Sequence, residues 1–267
     1  MASVEDNREF WNARYDWRQS GEEWSEPWGN SEAQWWGSLL PRLHRFVPCE
    51  HVLEIAPGFG RWTAFLKDLC ERLTVVDLSE RCIKHCQERF ASATNITYAV
   101  NDGKSLDAVA DQSVDLAFSF DSLVHAEADV LEAYVGQLAR KLKPNGVAFV
   151  HHSNARRYQR YFALTKRLPR GRQFLMRKGL LVNDNGRALS MSAADFEQFC
   201  RRAGGQCIGQ EIINWRGKYL LDCISLFTLK GSVWARPNQV VENRQFMAEA
   251  GTLARLAPLY TDWPRPK

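Results

Sequence analysis

Residues 51–66 read HVLEIAPGFGRWTAFL, and residues 75–79 read VVDLS. The first stretch is an apolar run that ends in a glycine turn and passes into a helical pattern. The second is another apolar run closed by an acid, Asp77. Gly58 and Gly60 let the backbone turn sharply after a strand and leave room for a ligand to approach with no Cβ in the way. Together the two stretches predict a nucleoside cradle at the carboxyl edge of a parallel sheet.

Outward from this core the chain alternates. Short, branched apolar runs at 51–56, 73–77, 96–100, 114–120 and 146–151 are separated by helical patterns at 61–70, 79–90 and 127–142. Strands alternating with helices predict βαβ units. Ser79 is the expected cap of the second helix, and Pro144-Asn145-Gly146 is expected to end the third and turn into a strand. Ser192-Ala-Ala-Asp195 reads as a capping box for a helix over 193–203, ended by Gly204-Gly205. Two apolar runs, 206–213 and 221–229, predict a closing strand pair, and 238–256 a C-terminal helix.

The organisation follows. Residues 1–50 form a helical lead-in with six tryptophans (Trp11, Trp17, Trp24, Trp28, Trp35, Trp36). They are read either as a hydrophobic clamp or as partial lining of a ligand cleft. A helix from about Ser31 to Phe46 is expected, with Ser31 as N-cap. Residues 51–152 and 191–230 form the core, 153–190 a basic insert and 231–267 a C-terminal helical segment. The 267 residues are 45% hydrophobic and 25% charged, an ordinary globular composition. No apolar run reaches the roughly 18–20 residues of a membrane span. The polar N-terminus does not read as a signal peptide, and seven scattered cysteines fit reduced thiols, so a cytoplasmic location is expected.

The formal charge of +4 is unevenly distributed. Nine basic residues lie within 156–178 without an acid, and removing them takes +4 to −5. Four are Arg156, Arg157, Arg160 and Lys166; Arg167, Arg170, Arg172, Arg177 and Lys178 follow.

A dinucleotide site usually has a third glycine three residues after the second, but Thr63 stands there. Asp77, 17 residues after Gly60, suits a ribose in either cofactor class. Three further signals discriminate. Asn101-Asp102-Gly103 follows the third strand, where a carboxylate can accept from an adenine amino group. Phe118-Ser119-Phe120-Asp121 ends the fourth, where carbonyls can meet an ammonium. Leu142-Lys-Pro-Asn-Gly146 leads into the fifth. In order and spacing this set resembles the class I S-adenosylmethionine-dependent methyltransferases over roughly residues 50–230. The resemblance implies an α/β, Rossmann-like fold with a seven-stranded, mostly parallel sheet whose last strand is antiparallel. It implies S-adenosyl-L-methionine as cofactor. Glu54 would orient the glycine loop, Gly58 and Gly60 border the methionine part and Asp77 bind ribose. Asp102 and Gly103 would border adenine, and Phe120 meet the amino group through its backbone. Ala56, Leu78 and Asp121 complete the expected cofactor set.

Because the sulfonium is already activated, the protein has to align a nucleophile and exclude water. A hydroxyl acceptor also needs a base, for which His125, His151 and His152 are the candidates. Strand alternation puts His151 and His152 on opposite faces, so at most one of that pair faces the acceptor. No metal is expected: Cys82, His85 and Cys86 share a helix face but lack further ligands. The insert follows the fifth strand and is expected over the acceptor, with Arg156, Arg157, Arg160, Tyr158 and Tyr161 as contacts and an anionic small molecule or glycan as partner. A solvated lid and a membrane-surface segment are the competing readings of this insert, and no RNA-binding module is visible. The Trp-rich lead-in, EIAPGFGRW and VHHSN also resemble methyltransferases associated with sugar and glycan modification. That resemblance implies O-methylation of a sugar hydroxyl, with an N-methyltransferase and a non-catalytic scaffold as rivals.

Overall fold

The computed structural model describes residues 3–166, 181–184, 186–215 and 217–261. These residues include eight strands: β1 (Cys49–Ile55), β2 (Cys70–Asp77), β3 (Ile96–Val100), β4 (Val114–Ser119), β5 (Leu142–Ser153), β6 (Gly205–Ile213), β7 (Asp222–Leu229) and β8 (Gln239–Asn243). They form one sheet in the order β3-β2-β1-β4-β5-β7-β6-β8. β7 runs antiparallel to β5 and β6, and every other pairing is parallel. The strand order reverses between β1 and β4, so their carboxyl ends diverge into a crevice where ligands of open α/β sheets bind.

The apolar runs of β1, β4 and β5 are buried on both faces, as a covered parallel sheet requires. On one face Leu53, Ile55 and Ala117 pack with helix Ala128–Lys141 and helix Ala193–Arg202. On the other, Val52, Leu116 and Phe118 pack against Trp28, Trp35 and Leu39 of the lead-in and Phe246 of the C-terminal helix.

Four features differ from the sequence expectations. An eighth strand, β8, opens the segment expected to be helical from 238; helix Phe246–Tyr260 follows it. β8 covers the open edge of β6, a long-range pairing invisible to local periodicity. The helix after the glycine turn is only Thr63–Leu66, because the chain re-enters the sheet at Cys70. The helical run 31–43 is capped by Asn30, whose Oδ1 accepts from the Ala33 N–H at 2.7 Å, and not by Ser31. Pro144-Asn145-Gly146 lies within β5, with a register shift against β4 between Val114 and Leu116. Ser79 and Ser192 cap their helices through the amides of Cys82 and Asp195.

Candidate active site

A cleft of about 960 Å³, its mouth included, lies at the carboxyl ends of β1, β2 and β4. Its floor is the turn after β1. Ala56, Gly58 and Gly60 all have positive φ, at 58°, 59° and 84°. Strain of this kind at a non-glycine residue such as Ala56 concentrates at functional sites. Gly58 faces the cleft, and a Cβ there would come within 2.8 Å of the Trp17 indole. Gly60 serves packing instead, since a Cβ would meet Phe90 at 2.5 Å. Glu54 stands behind the turn. Thr63 Oγ1 donates to its Oε2 at 2.6 Å, so the carboxyl joins β1 to the helix beyond the glycines. Burial raises the Glu54 carboxyl to about 8.

Asp77 ends β2 and lines the cleft beside Leu78. The Ser79 N–H donates to its Oδ1 at 2.8 Å and the Gly58 N–H to its Oδ2 at 3.2 Å. Burial outweighs these bonds and lifts the carboxyl to about 7. Gly103 and Phe120 also face the cleft, as does Asp121 at φ 64°. Asp102 does not. Its Oδ1 accepts from the amides of Lys104 and Ser105 at 2.8 and 2.6 Å, so the carboxylate closes its own exposed turn.

The three histidines separate sharply. His125 lines the cleft at the end of a 3₁₀ turn, its ring 5.9 Å from that of Trp11. Its Nδ1 lies 2.9 Å from the Gly186 carbonyl, which can only accept, so Nδ1 carries the proton and Nε2 the lone pair. Desolvation holds its pKa below the usual imidazole value, with the Arg187 charge adding to the effect.

His151 is fully buried behind Asp121. The Asp121 N–H donates to His151 Nδ1 at 3.0 Å, and Nε2 faces Asp222 Oδ2 at 3.5 Å. With one nitrogen engaged and the other sealed against a carboxylate, it has no path to an acceptor, which corrects its expected role as base. His152 lies on the opposite face, stacked on Phe196 at 4.6 Å. Its nitrogens meet the Ser153 carbonyl and Ser225 Oγ, and burial lowers its pKa to about 4. It is a core histidine, again a correction.

The insert side chains are also engaged elsewhere. Arg156 pairs with Asp195 and Arg157 with Glu242, each at 2.5 Å. Tyr158 and Tyr161 accept through their hydroxyls from the Leu220 and Val182 amides at 3.2 and 2.9 Å. Arg160 is exposed, and none of these five lines the cleft. The rest of the basic insert from Arg167 to Lys178 lies outside the described residues, as does the Lys166 side chain. Beside the turn, Cys86 Sγ donates to the Gly58 carbonyl and His85 stacks on Phe59.

The lead-in supplies what sequence reasoning left open. Trp11, Trp17 and Trp24 form one wall of the cleft, Trp28 and Trp35 are core, and Trp36 is exposed. Trp17 stacks on Phe59 at 4.2 Å, and Val4 lies over Gly103. Arg61 and Trp62, unassigned from sequence, also line the cleft. The GRW tripeptide after the turn was their only signal, and it carried no geometry.

This strand order, with β7 alone antiparallel and the cleft above β1 and β4, defines a methyltransferase-type Rossmann-like fold. The methyltransferase-domain family model matches residues 52–146, from the start of the glycine-turn strand to the start of the fifth. Phosphoethanolamine N-methyltransferase 1 of Caenorhabditis elegans is 29% identical over 43% of this chain and 23% of its own length. The wheat (Triticum aestivum) enzyme of the same name is 31% identical over 38% of this chain and 21% of its own. The chain thus matches between a fifth and a quarter of these relatives' length. Among solved structures, magnesium protoporphyrin IX methyltransferase from Synechocystis PCC 6803, with bound SAH, aligns at a TM-score of 0.55 and 16% identity over 85% of this chain and 99% of that one. Among the described residues, no helix is long and apolar enough to cross a membrane.

Proposed function

We propose that the protein is an S-adenosylmethionine-dependent methyltransferase that methylates a hydroxyl of a small acceptor, with His125 as general base. The observation that carries this reading is the His125 ring, held by the Gly186 carbonyl so that an unprotonated Nε2 remains at the cleft wall. The cofactor supplies an activated methyl group; the chain's residues bind it, align the acceptor and exclude water. Asp77 would take the ribose hydroxyls, and the Trp11, Trp17 and Trp24 wall would keep solvent from the reacting groups. The residues fit such a ligand: among the described residues the buried Asn7 Oδ1 and Trp62 Nε1 meet no partner, and both side chains line the cleft. A sugar hydroxyl is the acceptor class favoured by the resemblance to glycan-associated enzymes.

A second reading is N-methylation. It is favoured by the similarity to enzymes named phosphoethanolamine N-methyltransferases and by the three indoles at the cleft, whose faces attract cationic groups.

Calorimetric titration with S-adenosylmethionine tests the cofactor reading. Asp77→Ala is expected to weaken binding about tenfold or more, roughly 1.4 kcal/mol. The pH dependence has a definite sign. Burial has raised the Asp77 carboxyl to about 7, and hydroxyls donating to its charged form lower it again. Binding near pH 7 should therefore release up to about half a proton, and affinity should rise from pH 6 to 8. Titrations in buffers of different ionisation enthalpy read this directly. Absence of wild-type binding removes the catalytic reading and leaves the scaffold.

A further inference from the structure

The carbonyl that holds His125 belongs to a loop at the end of the basic insert. The Gly186 N–H donates to Asp184 Oδ1 at 3.1 Å and the Arg187 N–H to the Asp184 carbonyl at 2.9 Å. Gly186 has a φ of 72°, which a glycine adopts without strain. This tight turn aims the Gly186 carbonyl at His125 Nδ1, 2.9 Å away. Beyond it, the loop is bonded on two sides. The Ala188 N–H donates to the carbonyl of Val124, the residue before His125, at 3.0 Å. Ser153 Oγ, at the end of β5, donates to the Ala188 carbonyl at 2.8 Å. Arg187 supplies the charged anchor. Its Nε and Nη2 donate to the two oxygens of Asp222 at 3.0 and 2.8 Å. Asp222 is fully buried at the start of β7, in register with Ser153.

We propose that Arg187 and Asp222 are positioning residues for the base: their pair holds the Gly186 carbonyl on His125 Nδ1, so that Nε2 stays the unprotonated nitrogen at the cleft. Neither residue lines the cleft, so both act through the loop. Two parallel charge-assisted bonds fix the plane of a guanidinium as well as its distance. The carbonyl one residue away inherits that orientation. In an imidazole, the bond made by one nitrogen decides which nitrogen carries the proton. The pair thus sets the chemistry of a ring it does not touch. Other charges face the same ring. Asp121 approaches from the end of β4 with His151 of β5 behind it, Glu127 follows on the helix that begins at Ala128, and the lead-in presents only the Trp11 indole. After desolvation, the Arg187 charge is the largest influence holding the His125 pKa down; the Gly186 bond, Asp121 and Asp222 oppose it. The inference rests on the reading of His125 as base.

The test needs no acceptor. Long-range proton–nitrogen NMR spectra of the full chain with ¹⁵N-labelled histidine report which ring nitrogen carries the proton and how it titrates. His125→Gln assigns the signal by its loss, and circular dichroism confirms that each variant is folded. The wild-type ring is expected to carry its proton on Nδ1 and to stay neutral above pH 6.5. Arg187→Met combined with Asp222→Leu removes both buried charges at once. It should move the proton from Nδ1 to a mixture of both nitrogens. Ser153→Ala removes a neutral bond to the same loop and should leave the proton on Nδ1. Asp222→Asn leaves the Arg187 charge without the opposing carboxylate, so the His125 pKa should fall further. Mere loosening would hydrate the ring and raise that pKa instead. An unchanged tautomer in the double variant overturns the assignment, as does an equal change in Ser153→Ala or a rise in Asp222→Asn. In each of those cases the base reading still stands. A wild-type His125 with its proton on Nε2 overturns the base reading and this assignment together.

Discussion

Asp222→Ala is expected to cost about 3–5 kcal/mol of folding stability, the largest loss of any single substitution proposed for this chain. Asp222 is fully buried at the start of β7. Arg187 Nε and Nη2 donate to its two oxygens at 3.0 and 2.8 Å, and His151 Nε2 lies 3.5 Å away. The Arg187 charge holds the Asp222 carboxyl well below the ordinary carboxylate range despite its burial. Removing the carboxylate takes two charge-assisted hydrogen bonds from a buried guanidinium beside Trp215. The same change loosens the loop that carries the Gly186 carbonyl, so His125 should lose its fixed tautomer as well. Urea unfolding reads the first effect. A loss below about 1 kcal/mol would show that the pair is solvated, contrary to its burial. Arg187→Met together with Asp222→Leu, which removes both charges, should recover most of the stability.

His125→Gln is expected to lower kcat for a hydroxyl acceptor by about 10²–10⁴-fold while cofactor affinity stays within about twofold. Glutamine keeps a polar side chain near the Gly186 carbonyl but supplies no base. The sign of the pH dependence follows from the lowered His125 pKa. Nε2 keeps its lone pair throughout the neutral range, so wild-type kcat should be flat above pH 6.5 and fall below the depressed pKa. The variant should lose that acidic limb along with the rate. An amine acceptor predicts otherwise. Rate would climb with pH as the amine loses its proton, and His125→Gln would matter little. The two profiles therefore separate O- from N-methylation before the acceptor's full structure is known.

The separation of the three histidines shows how far local pattern reaches. Period-two alternation correctly placed His151 and His152 on opposite faces of β5, because that property belongs to a strand by itself. Which face holds the ligand is settled by what packs there. Phe196 covers His152, while Asp121, Trp215 and Asp222 enclose His151. His125 keeps access because its turn ends at the cleft and a distant loop holds its other nitrogen. Likewise, Asp102-Gly103 marked the end of β3, but its carboxylate bonds the local turn, a geometry the dipeptide alone leaves open.

Local pattern alone carried the succession of β1 to β7, the glycine turn, and the acid that closes β2. These are consequences of periodicity, of apolar runs long enough for buried strands, and of glycine at positive φ, all encoded within a few residues. Packing between distant elements settled that Trp11, Trp17 and Trp24 wall the cleft while Trp28 and Trp35 fill the core. It also decided that β8 covers the edge of β6, that Arg156 and Arg157 pair away from the cleft, and that Arg61 meets Asp121. Those contacts join residues tens to hundreds of positions apart. A buried charge or an indole carries no local mark of its partner, which is chosen only when distant elements exclude water together.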